Sequence, residues 1–277
     1  MGLRIGTNVA ALNAQKNLYM TQIGANRSMA RLASGFRINQ AADDAAGLAI
    51  SENLKGQIRG LRQANRNAND GISLVQVAEG SLNEVSNMLI RLRELGVQAS
   101  SDTIGETERK FLDVEYQQLK SEIQRVTEST VYNGYELLNG TGGNIDIQVG
   151  VNNDPFRDRI SFNAGAANAT VDSLGLTAEA VDTKESAQLS LDVIDQALTS
   201  VNAIRANFGA LQNRLVSTSN NLLIADENLS AANSRIRDTD VAAETSEMTR
   251  NNILLQAGVS VLGQANQSQQ LALKLLG

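Results

Sequence analysis

Apolar residues recur along this chain at intervals of three, four and seven. Ile5, Val9, Leu12, Tyr19, Ile23, Ala30 and Ala33 mark one such stripe within residues 1–39. That is heptad spacing and predicts a helix. Lys16 and Asn26 fall on the same stripe. A seam so diluted is marginal for an isolated helix in water, so this one needs partners.

The strongest helical pattern covers residues 46–98. Leu54, Ile58, Leu61, Ala68, Ile72, Val75, Leu82, Val85, Leu89 and Leu92 carry it. From Leu54 to Leu92 a helix would advance ~57 Å, which suits a rod. Gly56, Gly60, Gly71 and Gly80 interrupt the pattern. Each costs about 1 kcal/mol against Ala, so the helix either recovers that by packing or breaks near Gly71. After a connection from Gly96 to Gly105, a third helix shows Leu112, Tyr116, Leu119, Ile123 and Val126 on one face.

The period then changes to two. Asn133-Gly134 and Asn139-Gly140 are turn dipeptides, and Ile145, Ile147, Val149 and Val151 alternate with other residues. Asn152-Asn153-Asp154-Pro155 turns the chain, and Ile160 and Phe162 return it. Residues 130–180 therefore read as a small β-rich insert of hairpins. Helix resumes near Thr183, with Ala187, Leu191, Ile194, Leu198, Val201, Phe208, Leu211, Leu215, Leu222 and Leu229 on its stripe. A last helical stretch, 241–276, carries Leu255, Val259, Leu262, Leu273 and Leu276, diluted by glutamines. The order is palindromic: weak helix, long helices, β insert, long helix, weak helix. Two weak terminal helices at one pole are expected to order against other subunits.

Composition narrows the chemistry. The 277 residues hold no His, no Cys and one Pro. Common zinc sites, Ser-His-Asp and Cys-His catalysis and disulfides are excluded by that count. Aromatics are 3%, so the core must come from Leu, Ile, Val and Ala. The net charge is -6, which argues against duplex binding. No window is apolar enough to suggest a membrane span, and the first residues lack a cleavable signal pattern.

Three constellations invite a sharper reading, and each has a plainer one. Lys55, Arg59, Arg62 and Arg66 form a basic stripe. No aromatics interleave with it as base-stacking platforms would, so a solvated face is the better account. Asp43-Asp44 and Asp238-Thr239-Asp240 do not fit calcium-loop spacing and are better placed as charge at helix N-termini. Gly140-Thr141-Gly142-Gly143 lacks the Lys-Ser/Thr of a phosphate loop and leads into a strand. No catalytic, cofactor or metal residue is assigned, and an enzyme is not expected.

Two long runs resemble bacterial flagellin. The first is Leu32-Ala33-Ser34-Gly35-Phe36-Arg37-Ile38-Asn39 followed by Ala42-Asp43-Asp44-Ala45-Ala46-Gly47-Leu48-Ala49-Ile50. The second runs from Glu227-Asn228-Leu229-Ser230 through Asn233-Ser234-Arg235-Ile236-Arg237-Asp238-Thr239-Asp240, and continues in Gln256-Ala257-Gly258 and Gln264-Ala265-Asn266-Gln267. Phe208-Gly209-Ala210-Leu211-Gln212-Asn213-Arg214-Leu215 is similar to a further family block. The resemblance spans roughly residues 1–150 and 183–277.

It implies a mainly α fold: a long, coiled-coil-like helical rod with a small β-hairpin region and paired N- and C-terminal helices. Residues 1–45 and 235–277 would form the inner filament layer. Residues 46–234 would be the rod, with the β-rich insert at about 130–180 and without outer domains. The implied function is a structural subunit of the flagellar filament; the nearest alternative is a hook–filament junction protein of the same architecture. The implied partners are other copies of the chain in a helical homopolymer, the type III export apparatus and a chaperone, the filament cap and the hook-junction proteins. The implied location is extracellular, reached without a cleaved signal peptide.

On this reading Ile5, Val9, Leu12, Ile23, Leu255, Val259 and Leu262 carry burial between subunits. The family's rod-surface run matches Arg91, Leu95 and Glu115, a face implied to touch neighbouring subunits and, in many members, a Toll-like innate immune receptor. Ile90 departs from it, since the usual residue there is a polar Gln.

Overall fold

A computed structural model describes the backbone of residues 7–274 and the side chains of residues 7–267. Five α-helices dominate: α1 (Val9–Ser34), α2 (Ala45–Ala99), α3 (Glu106–Ser129), α4 (Lys184–Arg237) and α5 (Val241–Lys274). Two small antiparallel hairpins lie between α3 and α4. They are β1 (Val131–Tyr132) with β2 (Tyr135–Glu136), and β3 (Asn144–Gln148) with β4 (Arg159–Asn163). The fold is mainly helical, with α1 paired to α5 and α2 running beside α4.

The helix expected over 1–39 ends sooner. Gly35 takes a left-handed conformation (φ 75°) and its N–H donates to Arg31 O at 2.8 Å. A glycine there closes the last turn at no Cβ penalty, so the following residues leave the helix. The break expected near Gly71 does not occur: α2 is continuous. Its glycines admit the β3–β4 hairpin instead. A Cβ on Gly71 would stand 2.6 Å from Ile147 Cδ1, and one on Gly60 would stand 2.7 Å from Val151 Cγ1.

The chain divides into two compact units, residues 1–56 with 228–277, and residues 57–227. The second holds the main core. Leu82, Val85, Leu89 and Leu92 of α2, Tyr116 and Ile123 of α3, and Ile194, Val201 and Phe208 of α4 are all fully buried there. The hairpin docks through Phe162, whose ring lies 4.9 Å from that of Phe208. The Asn133-Gly134 turn closes the first hairpin with positive φ at both residues, 48° and 84°. That is the two-residue geometry whose twist matches the flanking strands.

Candidate assembly surface

The first unit is built around the α1/α5 pair, whose fully buried residues are small or polar among those described, with leucines half covered beside them. Asn8 accepts from Ala11 N at 2.9 Å and so caps α1, while its Nδ2 donates to Ala265 O at 3.0 Å. Further along, Leu18 packs over Gly258, where a Cβ would stand 3.3 Å from Leu18 Cδ1. Gly24 faces Asn251, and Arg31 NH1 lies 3.5 Å from Glu244 Oε2. The helices are therefore antiparallel, in register from Asn8–Ala265 to Arg31–Glu244. Ala25 and Ser28 are the buried residues of α1, and Asn251 is buried on α5.

The large apolar residues point the other way. Leu12 is 55% exposed and Val259 61%. Val9, Tyr19, Met20 and Ile23 are exposed beside Leu12, as are Val241, Ile253, Leu254 and Val261 on α5. Leu255 and Leu262 instead share the half-buried face of Asn251, Gly258 and Ala265. Ile5, Leu273 and Leu276 fall outside the residues whose side chains are described. The seven sequence-assigned positions thus separate. Val9, Leu12, Ile23 and Val259 face outward, and two leucines hold α5 to α1.

An open groove of about 860 Å³ runs along α5, with Val241, Thr245, Thr249, Ile253 and Leu254 in its lining. From Asn251 to Leu273 the sequence carries no charged residue. A helix that is uncharged and apolar on several faces calls for cover on more than one side.

The two signature runs meet at the base of this pair. Phe36 and Asp238 form an isolated antiparallel bridge. Arg37 N donates to Arg237 O at 2.7 Å, and Thr239 N donates to Gly35 O at 3.0 Å. The Arg237 guanidinium stands 4.8 Å from the Phe36 ring centroid and hydrogen-bonds Glu52. That bond holds the Glu52 carboxyl below its usual range. The acidic pairs have structural work. Asp44 accepts from Gly47 N at 2.9 Å, and Asp240 caps α5 by accepting from Ala242 N at 2.9 Å. Among the described residues no group of three His, Cys, Asp or Glu side chains gathers to hold a metal.

In the second unit Arg91 Nε donates to Glu115 Oε1, and Arg91 NH1 to Glu94 Oε2, each at 2.9 Å. Arg91 and Glu115 are exposed, as the sequence reading requires. Leu95 is a correction: it is 0% exposed, a member of the core, and presents no surface. Its step of three from buried Leu92 is the local spacing that puts it on the core side. The basic stripe is partly neutralised. Arg62 pairs with Asp226 at 2.9 Å and Lys55 with Glu52 at 3.6 Å.

The terminal helices thus fully bury only small or polar side chains among those described and leave most of their large apolar ones open. Comparison with known proteins gives the family. Residues 5–142 match the bacterial flagellin N-terminal helical region, and residues 191–276 match the bacterial flagellin C-terminal helical region. The flagellin of Halalkalibacterium halodurans is 46% identical over 272 residues, covering 98% of this chain and 99% of that one. The flagellin of Bacillus subtilis is 42% identical, covering 99% of this chain and 100% of that one. The crystal structure of Bacillus cereus flagellin superposes with a TM-score of 0.51 at 33% identity, covering 57% of this chain and 88% of that one.

The chain belongs to the bacterial flagellin family, in a short form without large outer domains. It is a structural, non-enzymatic subunit of the flagellar filament. Among the described residues no helix is long and apolar enough to cross a membrane.

Proposed function

We propose that the α1/α5 pair forms the inner layer of the filament and that assembly is driven by covering its outward apolar face. Residues 1–45 and 235–277 make that layer, and 46–234 make the rod outside it. The observation that carries this reading is the placing of side chains by size: the fully buried residues of the intramolecular seam are small or polar, with a few half-covered leucines, while Leu12, Tyr19, Met20 and Ile23 lie outside it. Burial between subunits offsets the entropy of fixing these helices, a gain of ~25 cal/mol per Å² of apolar surface covered.

The finer partners follow from this role. The subunit leaves the cell through the flagellar type III apparatus, without a cleaved signal and with a chaperone holding the terminal helices. The cap and hook-junction proteins meet the two ends of the polymer. The exposed Arg91–Glu115 face makes polar contacts with neighbouring subunits, and a Toll-like receptor would read the same face on a free monomer.

The test is electron microscopy of purified monomer with ammonium sulfate, a salt excluded from protein surfaces that strengthens burial. Uniform long tubes are expected from the natural chain. Leu12→Asp should stay monomeric with its helix content unchanged. Leu262→Asp should also lose helix signal, because it breaks the α1/α5 seam as well. Normal tubes from Leu12→Asp would sink the inner-layer reading.

A further inference from the structure

The α1/α5 seam holds one side chain that does not suit its place. Asn251 is 7% exposed and is the one fully buried residue of α5 among those described. It stands on the inner face of that helix, with Glu244 and Met248 half-buried before it and Leu255, Gly258 and Leu262 half-buried after it. Its amide offers two donor hydrogens and a carbonyl acceptor. Among the described residues that amide makes no hydrogen bond. Other polar side chains of the pair find partners. Asn8 caps α1 and reaches Ala265 O, Thr21 Oγ1 donates to Asn17 O at 2.9 Å, and Thr249 Oγ1 donates to Thr245 O at 2.8 Å.

The opposite helix makes room for the amide. Gly24 is the only glycine of α1, and a Cβ there would stand 3.1 Å from Asn251 Nδ2 and 3.4 Å from its Cγ. The backbone groups of Gly24 are engaged in the ladder of α1, so they give the amide nothing in return. Two unfavourable features thus meet at one point: a glycine inside a helix, and an amide shut away from water without a partner.

An asparagine at a core position of paired helices lowers stability while restricting how they associate. Only a sliver of Asn251 meets solvent in the monomer, and cover by neighbouring copies would close it. The amide therefore weighs more heavily once the pair is packed into a polymer. A nucleus orders several copies together, so a cost borne by each copy slows unseeded growth more steeply than addition to an existing end.

We propose that Asn251, seated on Gly24, keeps the terminal pair weak in the monomer and restrains its assembly where no filament end is present. The restraint rests on the inner-layer reading; the weak point in the pair does not. The outward face of α1 supplies the drive to assemble, and Asn251 sets how readily that drive acts.

Leucine branches at Cγ as asparagine does, so Asn251→Leu removes the amide and keeps the branching. Asn252→Leu, on the exposed side of the same turn, repeats the change in helix propensity outside the seam. Hydrogen exchange of the monomers is read on α1, which carries neither substitution. Asn251→Leu should slow exchange there about tenfold, the scale of one unpaired polar group removed, and Asn252→Leu far less. Unchanged or faster exchange in Asn251→Leu, or equal slowing by both variants, would overturn the proposal. In ammonium sulfate without seeds, Asn251→Leu should shorten the lag before tubes appear about tenfold. An unaltered lag would overturn the restraint on assembly. Gly24→Ala tests the seating: its Cβ presses on the amide in the natural chain and meets space beside Asn251→Ala. Alanine at 24 should slow α1 exchange more in the second background, and an equal effect in both would remove the seating. The monomer measurements stand apart from Leu12→Asp. Slower exchange in Asn251→Leu, together with normal tubes from Leu12→Asp, would end the inner-layer reading and leave the weak point in place.

Discussion

Gly80 and Gly150 differ in what stands opposite the missing Cβ. At Gly80, exposed within α2, nothing lies within 4 Å of the position a Cβ would take. Alanine there should stabilise the second unit by about 0.5–1 kcal/mol, the propensity difference between the two residues in a helix. At Gly150 a Cβ would strike the Asp158 carboxylate and stand 2.7 Å from the Asp158 backbone. Gly150→Ala should therefore cost about 1–3 kcal/mol, as overpacking does, and loosen the hairpin tip. Thermal melts of both variants against the natural monomer check the pair of signs. Equal shifts in one direction would show that propensity alone governs both sites. Gly56, Gly60, Gly71 and Gly80 of α2 look alike in sequence; the approach of Val151 and Ile147 separates Gly60 and Gly71 from the other two, which face open space.

At the scale of elements, α2 is tied to α4 by packing and by ion pairs. Phe208 is fully buried and carries the ring contact with Phe162. Phe208→Ala should cost about 3–5 kcal/mol and release the hairpin from α4, read as loss of amide protection in β3 and β4. Arg93 pairs with Asp195 at 2.7 Å across the two helices, and Lys184 at the start of α4 pairs at 2.8 Å with Asp102 in the connection that follows α2. These hydrogen bonds hold both carboxyls below their ordinary range. A carboxyl whose folded pKa is depressed adds stability above its unfolded pKa and loses it as pH falls through the lower folded value. The melting temperature of the monomer should thus decline as pH drops below about 4, the ordinary carboxylate range. Asp102→Asn with Asp195→Asn should flatten that decline by melting slightly lower at neutral pH and converging with the natural chain in acid, a small difference because all four side chains are exposed. A decline of undiminished steepness in the double variant would assign the acid sensitivity to other groups. The helices, their order and the alternating strands were legible because each buries one face, and one-sided burial imprints a period. What covers each face was not legible. The stripe Val9, Leu12, Tyr19, Ile23 reads like the stripe Leu82, Leu89, Leu92, yet one lies open and the other in the core. Period reports that a face is apolar, not which molecule meets it. Leu95 shows the same limit in reverse. The resemblance placed it on the surface, while the structure buries it in the core.

At the scale of the whole chain, stability is uneven by construction. The unit of residues 57–227 owns nearly all of the fully buried large side chains. The α1/α5 pair buries an alanine, a serine and an asparagine, with leucines half covered. Burial of that kind yields far less than a Leu–Ile core at ~25 cal/mol per Å², so the pair stays close to the free energy of opening. Such a margin suits a subunit that must remain a monomer until a neighbour supplies the missing cover, since binding then adds directly to folding. Hydrogen exchange of the monomer should show amides of α1 and α5 exchanging orders of magnitude faster than those around Leu89, Tyr116 and Ile194. Polymerisation should slow α1 and α5 most, and limited proteolysis should follow the same order, cutting the terminal helices in the monomer and sparing them in the filament. Equal protection of α1 and α2 in the monomer would mean that the small-residue seam is sufficient on its own. The outward leucine, tyrosine, methionine and isoleucine of α1 would then have to serve something other than the drive to assemble.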